Sequence, residues 1–168
     1  MAETPEYQPP AAVAGFAVDR AVAELVERAE GPAGFAQVPP YRGASYTRKM
    51  PRPVPALRAA LLVRHVAQGK AQDAIRAARA AGTSWAELAD TLGVDGGEAA
   101  YRVAVGPDDG WAWYQRQDVY WRCSACAELV TDSGPYEAHP ANNETGHADG
   151  CARHLVEIAA YQATWDEL

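Results

Sequence analysis

The chain has 168 residues, 15 of them basic and 22 acidic, for a formal net charge of −7. That length allows one domain or two small ones, and the overall acidity excludes a generally polyanion-coating protein. With 48% hydrophobic residues the composition excludes wholesale disorder, and the absence of a long apolar run or signal-peptide core points to a cytoplasmic protein with no membrane segment.

Charge is unevenly spread. Residues 1–40 carry two basic and six acidic groups, residues 41–104 ten and five, and residues 105–168 three and eleven. Only the middle segment would attract a phosphate backbone. The chain divides accordingly into an N-terminal arm, helix and proline-rich basic linker (1–52), a helical segment (53–106) and a cysteine-bearing segment (107–168).

Residues 1–12 are polar and proline-rich and read as an extended arm. Over Ala12–Ala29, Val18, Ala21, Val22, Leu25 and Ala29 recur at helical period, until Gly31 and Pro32 stop the helix. Residues 31–55 hold six of the twelve prolines and read as loop or linker, with Tyr41, Arg42, Tyr46, Arg48, Lys49 and Arg52 interspersed. Pro55–Ala81 reads as helix, with Gly69 as a point of interruption. Leu57, Leu61, Leu62, His65 and Val66 form one apolar stripe and Ala71, Ile75 and Ala78 a second, which makes His65 a hydrogen-bonded core residue.

Residues 83–105 begin with a capping box, Ser84 with Glu87 three residues on. Trp85, Leu88, Ala89 and Leu92 form one face of a short helix, Gly93 makes a turn, and Val94 leads into a second helix with Ala99, Tyr101, Arg102 and Val103. With small Ala89, turn Gly93, apolar Val94 and small Ala99, this stretch resembles the helix-turn-helix of bacterial DNA-binding regulators of the actinobacterial type. The resemblance implies double-stranded DNA as partner, with the second helix in the major groove exposing Asp95, Gly96, Gly97, Ala100, Tyr101 and Ala104. These positions lack the Arg, Lys, Asn or Gln that pair with base edges. The remaining DNA contacts would come from Arg48, Lys49, Arg52, Arg76 and Arg79 on phosphates, with Thr83, Ser84, Tyr101 and Arg102 beside them.

All three cysteines and three of the four histidines fall between Cys123 and His154. Cys123-x2-Cys126 has zinc-knuckle spacing, and His147-x3-Cys151 supplies a second pair. Together they make a closed Cys3His set suited to a structural, tetrahedral Zn2+ rather than a catalytic one. His154 and His139 are alternative fourth ligands. Asp118–Arg122 and Ala127–Thr131 read as strands flanking the knuckle, and Ala148–Trp165 as a helix capped by Thr145 or Asn143. Trp111, Trp113, Tyr114, Tyr120 and Trp121 supply a small aromatic core. Ligand spacing and element order resemble a treble-clef zinc finger appended to the helical segment.

The expected fold is therefore mainly α: a helix-turn-helix domain followed by a small α+β zinc-binding domain of hairpin plus helix. The expected function is a DNA-binding transcriptional regulator; the sequence leaves the oligomeric state open, a homodimer being the form in which such readers meet paired half-sites. The alternative is a protein-interaction adaptor that uses the acidic zinc module on a protein partner, with the helix-turn-helix as scaffold. An enzyme is not expected. His139, Asn143 and His147 superficially resemble His-Asn-His nucleases but lie too close together for that motif, and no phosphate-cradling loop or nucleophile elbow is present.

Overall fold

Proline suits the first turn of a helix, where backbone N–H groups lack intrahelical partners, and helix α1 (Pro10–Glu30) starts on Pro10. Gly31, at φ +56°, ends it. In the computed structural model, residues 9–106, 117–136 and 139–166 are described, with side chains as far as residue 163. The architecture is mainly helical with small antiparallel sheets, arranged as two compact units, Met1–Gln68 and Gly69–Leu168. No helix among the described residues is long and apolar enough to cross a membrane. Most of the arm before Pro9 lies outside the described residues, as do Trp111, Trp113 and Tyr114.

In the first unit, the expected loop at 31–55 instead contains a hairpin. Strand β1 (Phe35–Val38) pairs antiparallel with β2 (Arg48–Pro51), in the register Phe35↔Pro51 and Val38↔Arg48. Its strands are short and one carries proline, so the alternation that identifies a strand never develops. Tertiary contacts hold it: Lys49 Nζ lies 2.8 Å from Glu27 of α1 and 4.1 Å from the Phe35 ring centre. Gly34 is needed where the hairpin meets α1, because a Cβ there would stand 2.6 Å from Val26 Cγ1.

Helix α2 (Pro53–Ala81) runs unbroken through Gly69. One glycine costs a helix interior only about 1 kcal/mol, too little to break a long helix. His65, expected in a core, is exposed, as are Leu57, Leu61, Leu62 and Val66.

In the second unit, the end of α2 is followed by α3 (Trp85–Leu92) and α4 (Gly96–Val105). The capping box forms as expected: Ser84 Oγ accepts from Glu87 N at 3.2 Å, and Ser84 N donates to Glu87 Oε2 at 2.8 Å. Gly93 takes the left-handed conformation at the α3 C-cap. Strands β3 (Val119–Arg122), β4 (Leu129–Asp132) and β5 (Glu144–Thr145) form one antiparallel sheet in that order, with a single-turn helix α5 (Pro140–Asn143) before β5. The last helix, α6, spans Ala152–Asp166 rather than starting at Ala148, because Gly146 and Gly150 hold positive φ in the approach.

Helices and sheet share one core: Trp85, Leu88, Ala100, Tyr101 and Ala104 pack with Val119, Trp121 and Val130. The sequence division at residues 106/107 thus falls between parts that are packed together. Where β4 ends, Gly134 (φ +83°) lies against Tyr101, and a Cβ there would stand 2.7 Å from the ring. Pro135 abuts Gly97, the second residue of α4.

Gly134→Ala is therefore expected to destabilise the fold by about 3 kcal/mol or more, combining left-handed backbone with overpacking. Gly93→Ala, with open space around its Cβ position, should lose only about 1–2 kcal/mol. Denaturant midpoints of the two variants would compare them, and equal losses would contradict the packing described at Tyr101.

Candidate metal centre

The turn after β3 folds back on itself. Cys123 N donates to Glu128 O (2.9 Å), Ala127 N to Cys123 O (2.8 Å), and Ala125 N approaches Cys123 Sγ at 3.4 Å. Ala127 takes a positive φ of 62°, unusual for a residue with a side chain, and this closes the knuckle so that Cys123 and Cys126 face the same point. From the other side, the glycine-bent loop brings His147, and Cys151 sits immediately before α6.

The ligand atoms of Cys123, Cys126, His147 and Cys151 all lie within 4.8 Å of one another. Cys123 Sγ and Cys151 Sγ are 3.7 Å apart, and Cys126 Sγ is 3.8 Å from His147 Nδ1. The edge of a tetrahedron with metal–sulfur bonds of about 2.3 Å is about 3.8 Å, so the spacing fits one metal ion. Cys123 and Cys151 are buried, and four side chains already fill a tetrahedral shell. This geometry could hold a metal ion.

The surroundings favour thiolates in part. Backbone N–H groups of Ala148 and Glu128, with His147, hold the Cys126 thiol down to about 6. The His154 N–H at the start of α6 acts on Cys151 in the same direction, but burial and the neighbouring thiols outweigh it and push Cys151 up. A cation at the centre would reverse that repulsion between sulfurs.

Among the other histidines, His139 is engaged elsewhere. Its Nδ1 accepts from Ala141 N at 3.1 Å, capping α5, and its ring meets Tyr161 edge-on at 5.0 Å. His154 stacks on His147 at 4.4 Å, with its buried Nδ1 4.0 Å from Glu144 and making no hydrogen bond. Burial first, then the nearby His147, lowers its pKa. The sequence treated both as possible ligands, whereas the structure gathers His147 with the cysteines.

Behind the ligands lies an ionic cluster that the sequence reading missed. Glu144 Oε2 is 3.0 Å from His147 Nε2, an arrangement that fixes the imidazole with Nδ1 directed at the sulfurs. Arg153 bonds the same carboxylate at 2.6 Å, and Arg79 reaches across from α2 to its other oxygen. Arg79 Nε also binds Asp132 Oδ2 at 2.9 Å. Asp132, fully buried, accepts further bonds from Trp85 Nε1 (3.2 Å), Trp121 Nε1 (3.2 Å) and Gly134 N (2.9 Å). Burial alone would raise the Glu144 pKa, but the Arg153 hydrogen bond and the Arg79 charge outweigh it and hold it low. The signal for these residues was an acid inside a strand and another three residues before a ligand histidine.

The expected DNA contacts need correction in this light. Arg79 is 3% exposed and committed to two carboxylates and the Thr83 carbonyl, so it cannot hold a phosphate. Tyr101 is 4% exposed, packed on Trp85 and Gly134, with its hydroxyl donating to Gln117 O. Ala100 and Ala104, also expected to face a groove, are core residues. Thr83 and Ser84 are half-buried at the α3 cap. Of the others, Arg76 pairs with Asp73 (3.2 Å) and Arg102 with Glu98 (3.4 Å). Arg48, Lys49 and Arg52 lie in the first unit, where Lys49 pairs with Glu27 and Arg52 Nε donates to Phe35 O; Arg48 is exposed.

Compared with family models, with curated proteins and with solved structures, the chain matches none of them.

Glu144→Gln is expected to weaken metal affinity by about 10- to 100-fold, measured by chelator competition. It should also destabilise the unit at neutral pH. The folded pKa of Glu144 lies below 4.5, so its contribution is present above 4.5 and lost as pH falls through the folded value. The deficit of the variant should therefore narrow in acid, and a deficit independent of pH would argue against the charged contact.

Proposed function

We propose that this chain is a zinc-stabilised protein-interaction module, in which the helix-turn-helix-like pair is scaffold. The observation that carries the reading is the packing of α4: Ala100, Tyr101 and Ala104, the face that would enter a groove, are buried in the core. The exposed charges of that helix and its N-cap are Asp95 and Glu98, which phosphate would repel, and Arg102, which lies 3.4 Å from Glu98.

Zinc is the metal that the Cys3His donor set suits, since three thiolates and an imidazole with a closed shell are its usual structural company. The metal holds the knuckle against α6, and no step of chemistry is assigned to it. A basic partner is favoured by the eleven acidic against three basic groups of residues 105–168, an excess that persists when the buried and paired Asp132 and Glu144 are set aside. One of those three, Arg153, is turned inward on Glu144. The outer face of the sheet presents Tyr120 and Leu129, with Glu128 beside them, all exposed.

A second reading, the DNA-binding regulator, is favoured by a different observation. The hairpin of the first unit exposes Tyr41, Tyr46, Arg42 and Arg48, a mixture able to lie along a phosphate backbone.

A salt series against duplex DNA and, in parallel, against an oligolysine peptide separates the two. The interaction module should bind the peptide in a salt-sensitive way that Glu128→Lys weakens, and should bind DNA no better than about 10⁻⁴ M at physiological salt. Tight DNA binding abolished by Arg48→Ala would instead establish the regulator. Purified protein should carry one zinc per chain, and cobalt substitution should give a tetrahedral thiolate spectrum. A stoichiometry far below one would sink the zinc assignment.

A further inference from the structure

The three cysteines of the cluster differ in access. Cys123 is 2% exposed and Cys151 6%, whereas Cys126 is only partly buried. All three are free thiols, and their sulfurs lie within 4.8 Å of one another. A small reagent arriving from solvent therefore meets Cys126 first, with two further sulfurs close to it. The Cys126 sulfur accepts from the backbone N–H groups of Ala148 and Glu128, which hold it in the cluster. Sulfur attacks as the thiolate, the form in which a metal site keeps its cysteines.

The two neighbouring sulfurs are not equally placed to respond. Cys123 is tied down: its N–H donates to Glu128 O at 2.9 Å, and its carbonyl accepts from Ala127 N at 2.8 Å. Ala125 N lies 3.4 Å from its sulfur. Cys151 instead follows Gly150, which holds φ +72° with open space where a side chain would stand, and it leads into α6. A bond between Cys123 and Cys126 would only link the knuckle to itself. A bond from Cys126 to Cys151 would join the knuckle to the start of α6, the same two parts that the four candidate ligands bring together.

From this we infer that Cys126 is a site of oxidation by hydroperoxides, and that Cys151 resolves the product into a disulfide. The Cys126 thiolate attacks one peroxide oxygen, the O–O bond breaks, and hydroxide leaves; Cys126 is now a sulfenic acid. The Cys151 thiolate then attacks the Cys126 sulfur, the S–O bond breaks, and a second hydroxide leaves. The two sulfurs have lost two electrons in all, and the peroxide has gained them. Only Cys123 and His147 remain as donors, too few for a tetrahedral shell, so a bound ion is released. The new bridge then carries the link between knuckle and α6. The metal release rests on the zinc reading above; the two sulfur steps do not.

Peptide mapping of the full chain tests it. The purified protein is assayed for metal, exposed to hydrogen peroxide, alkylated, digested and analysed by mass spectrometry. The expected result is loss of two of the three free thiols, a Cys126–Cys151 bridge and an alkylated Cys123. Zinc should reach a chromogenic chelator in step with the thiol loss, and a dithiol reductant should restore all three thiols. Cys151→Ser should leave a sulfenic acid on Cys126 that a dimedone probe captures, and the map of the native chain decides even if that variant fails to fold. A bridge that leaves out Cys126, a Cys123–Cys126 bridge, or sulfinic and sulfonic acids with no bridge would overturn the proposal. A metal-free chain that still forms the Cys126–Cys151 bridge would remove the zinc reading alone. A zinc-loaded chain that forms none would remove this one alone.

Discussion

The second unit depends on one buried carboxylate. Asp132 receives an arginine, two indole N–H groups and a backbone N–H, from α2, α3, β3 and the turn after its own strand. A carboxylate with no exposure is costly to bury without hydrogen-bond partners of this kind. Removing one partner of a buried pair costs about 3–5 kcal/mol, although the pair itself adds little net stability over a well-packed apolar substitute. Its value lies in arrangement. A one-residue slip of β4 against β3 would turn Asp132 outward and leave Arg79, Trp85 and Trp121 without their acceptor. The strand register Val119↔Asp132 and the seating of the helices are therefore fixed by the same bonds.

The metal cluster is contiguous with this network rather than beside it. His147 touches the cysteines through Nδ1 and Glu144 through Nε2, and Glu144 shares Arg79 with Asp132. The guanidinium of Arg153, 4.3 Å from the Trp121 ring centre, completes the layer. A small sheet with so few apolar side chains lacks the area to hold itself together by burial. It is held by the core it shares with the helices, while the charged network fixes its register and an ion bound at the cysteines would add a cross-link. The helical pair is tied in through Arg79 and Trp85, so an ion at the cysteines would act on the whole unit rather than on a detachable finger.

How much of this was legible in the sequence follows from the range of each interaction. The capping box at Ser84 and Glu87, the Gly93 turn and the knuckle spacing are contained within a few residues, and local chemistry identified them. The four residues that could hold a metal were picked out because two short pairs with metal spacing are rare by chance. Arg79 meets Asp132 and Glu144 across 53 and 65 residues, and no local pattern announces such a pairing. The hairpin at Phe35–Pro51 was invisible for a related reason: its strands are too short to alternate, and its contacts through Lys49 and Gly34 are with α1, outside the segment itself.

The inversion of α4 is the most instructive difference. A helix-turn-helix pattern specifies how two helices cross, through small and apolar residues at the turn, and α3 and α4 do pack against each other. It leaves open which remaining face meets solvent. Gly97, Ala100 and Ala104 are small, and with Tyr101 they fall at three- and four-residue steps, which is also the signature of a second packing face. Read as a groove-facing surface, these residues lacked every side chain that pairs with a base edge. Read as a packing surface, the same smallness is required: Gly97 admits Pro135, and Tyr101 lies flat against Gly134 where any side chain would collide. The missing base-reading residues are thus the trace, in sequence, of the turn that covers the helix.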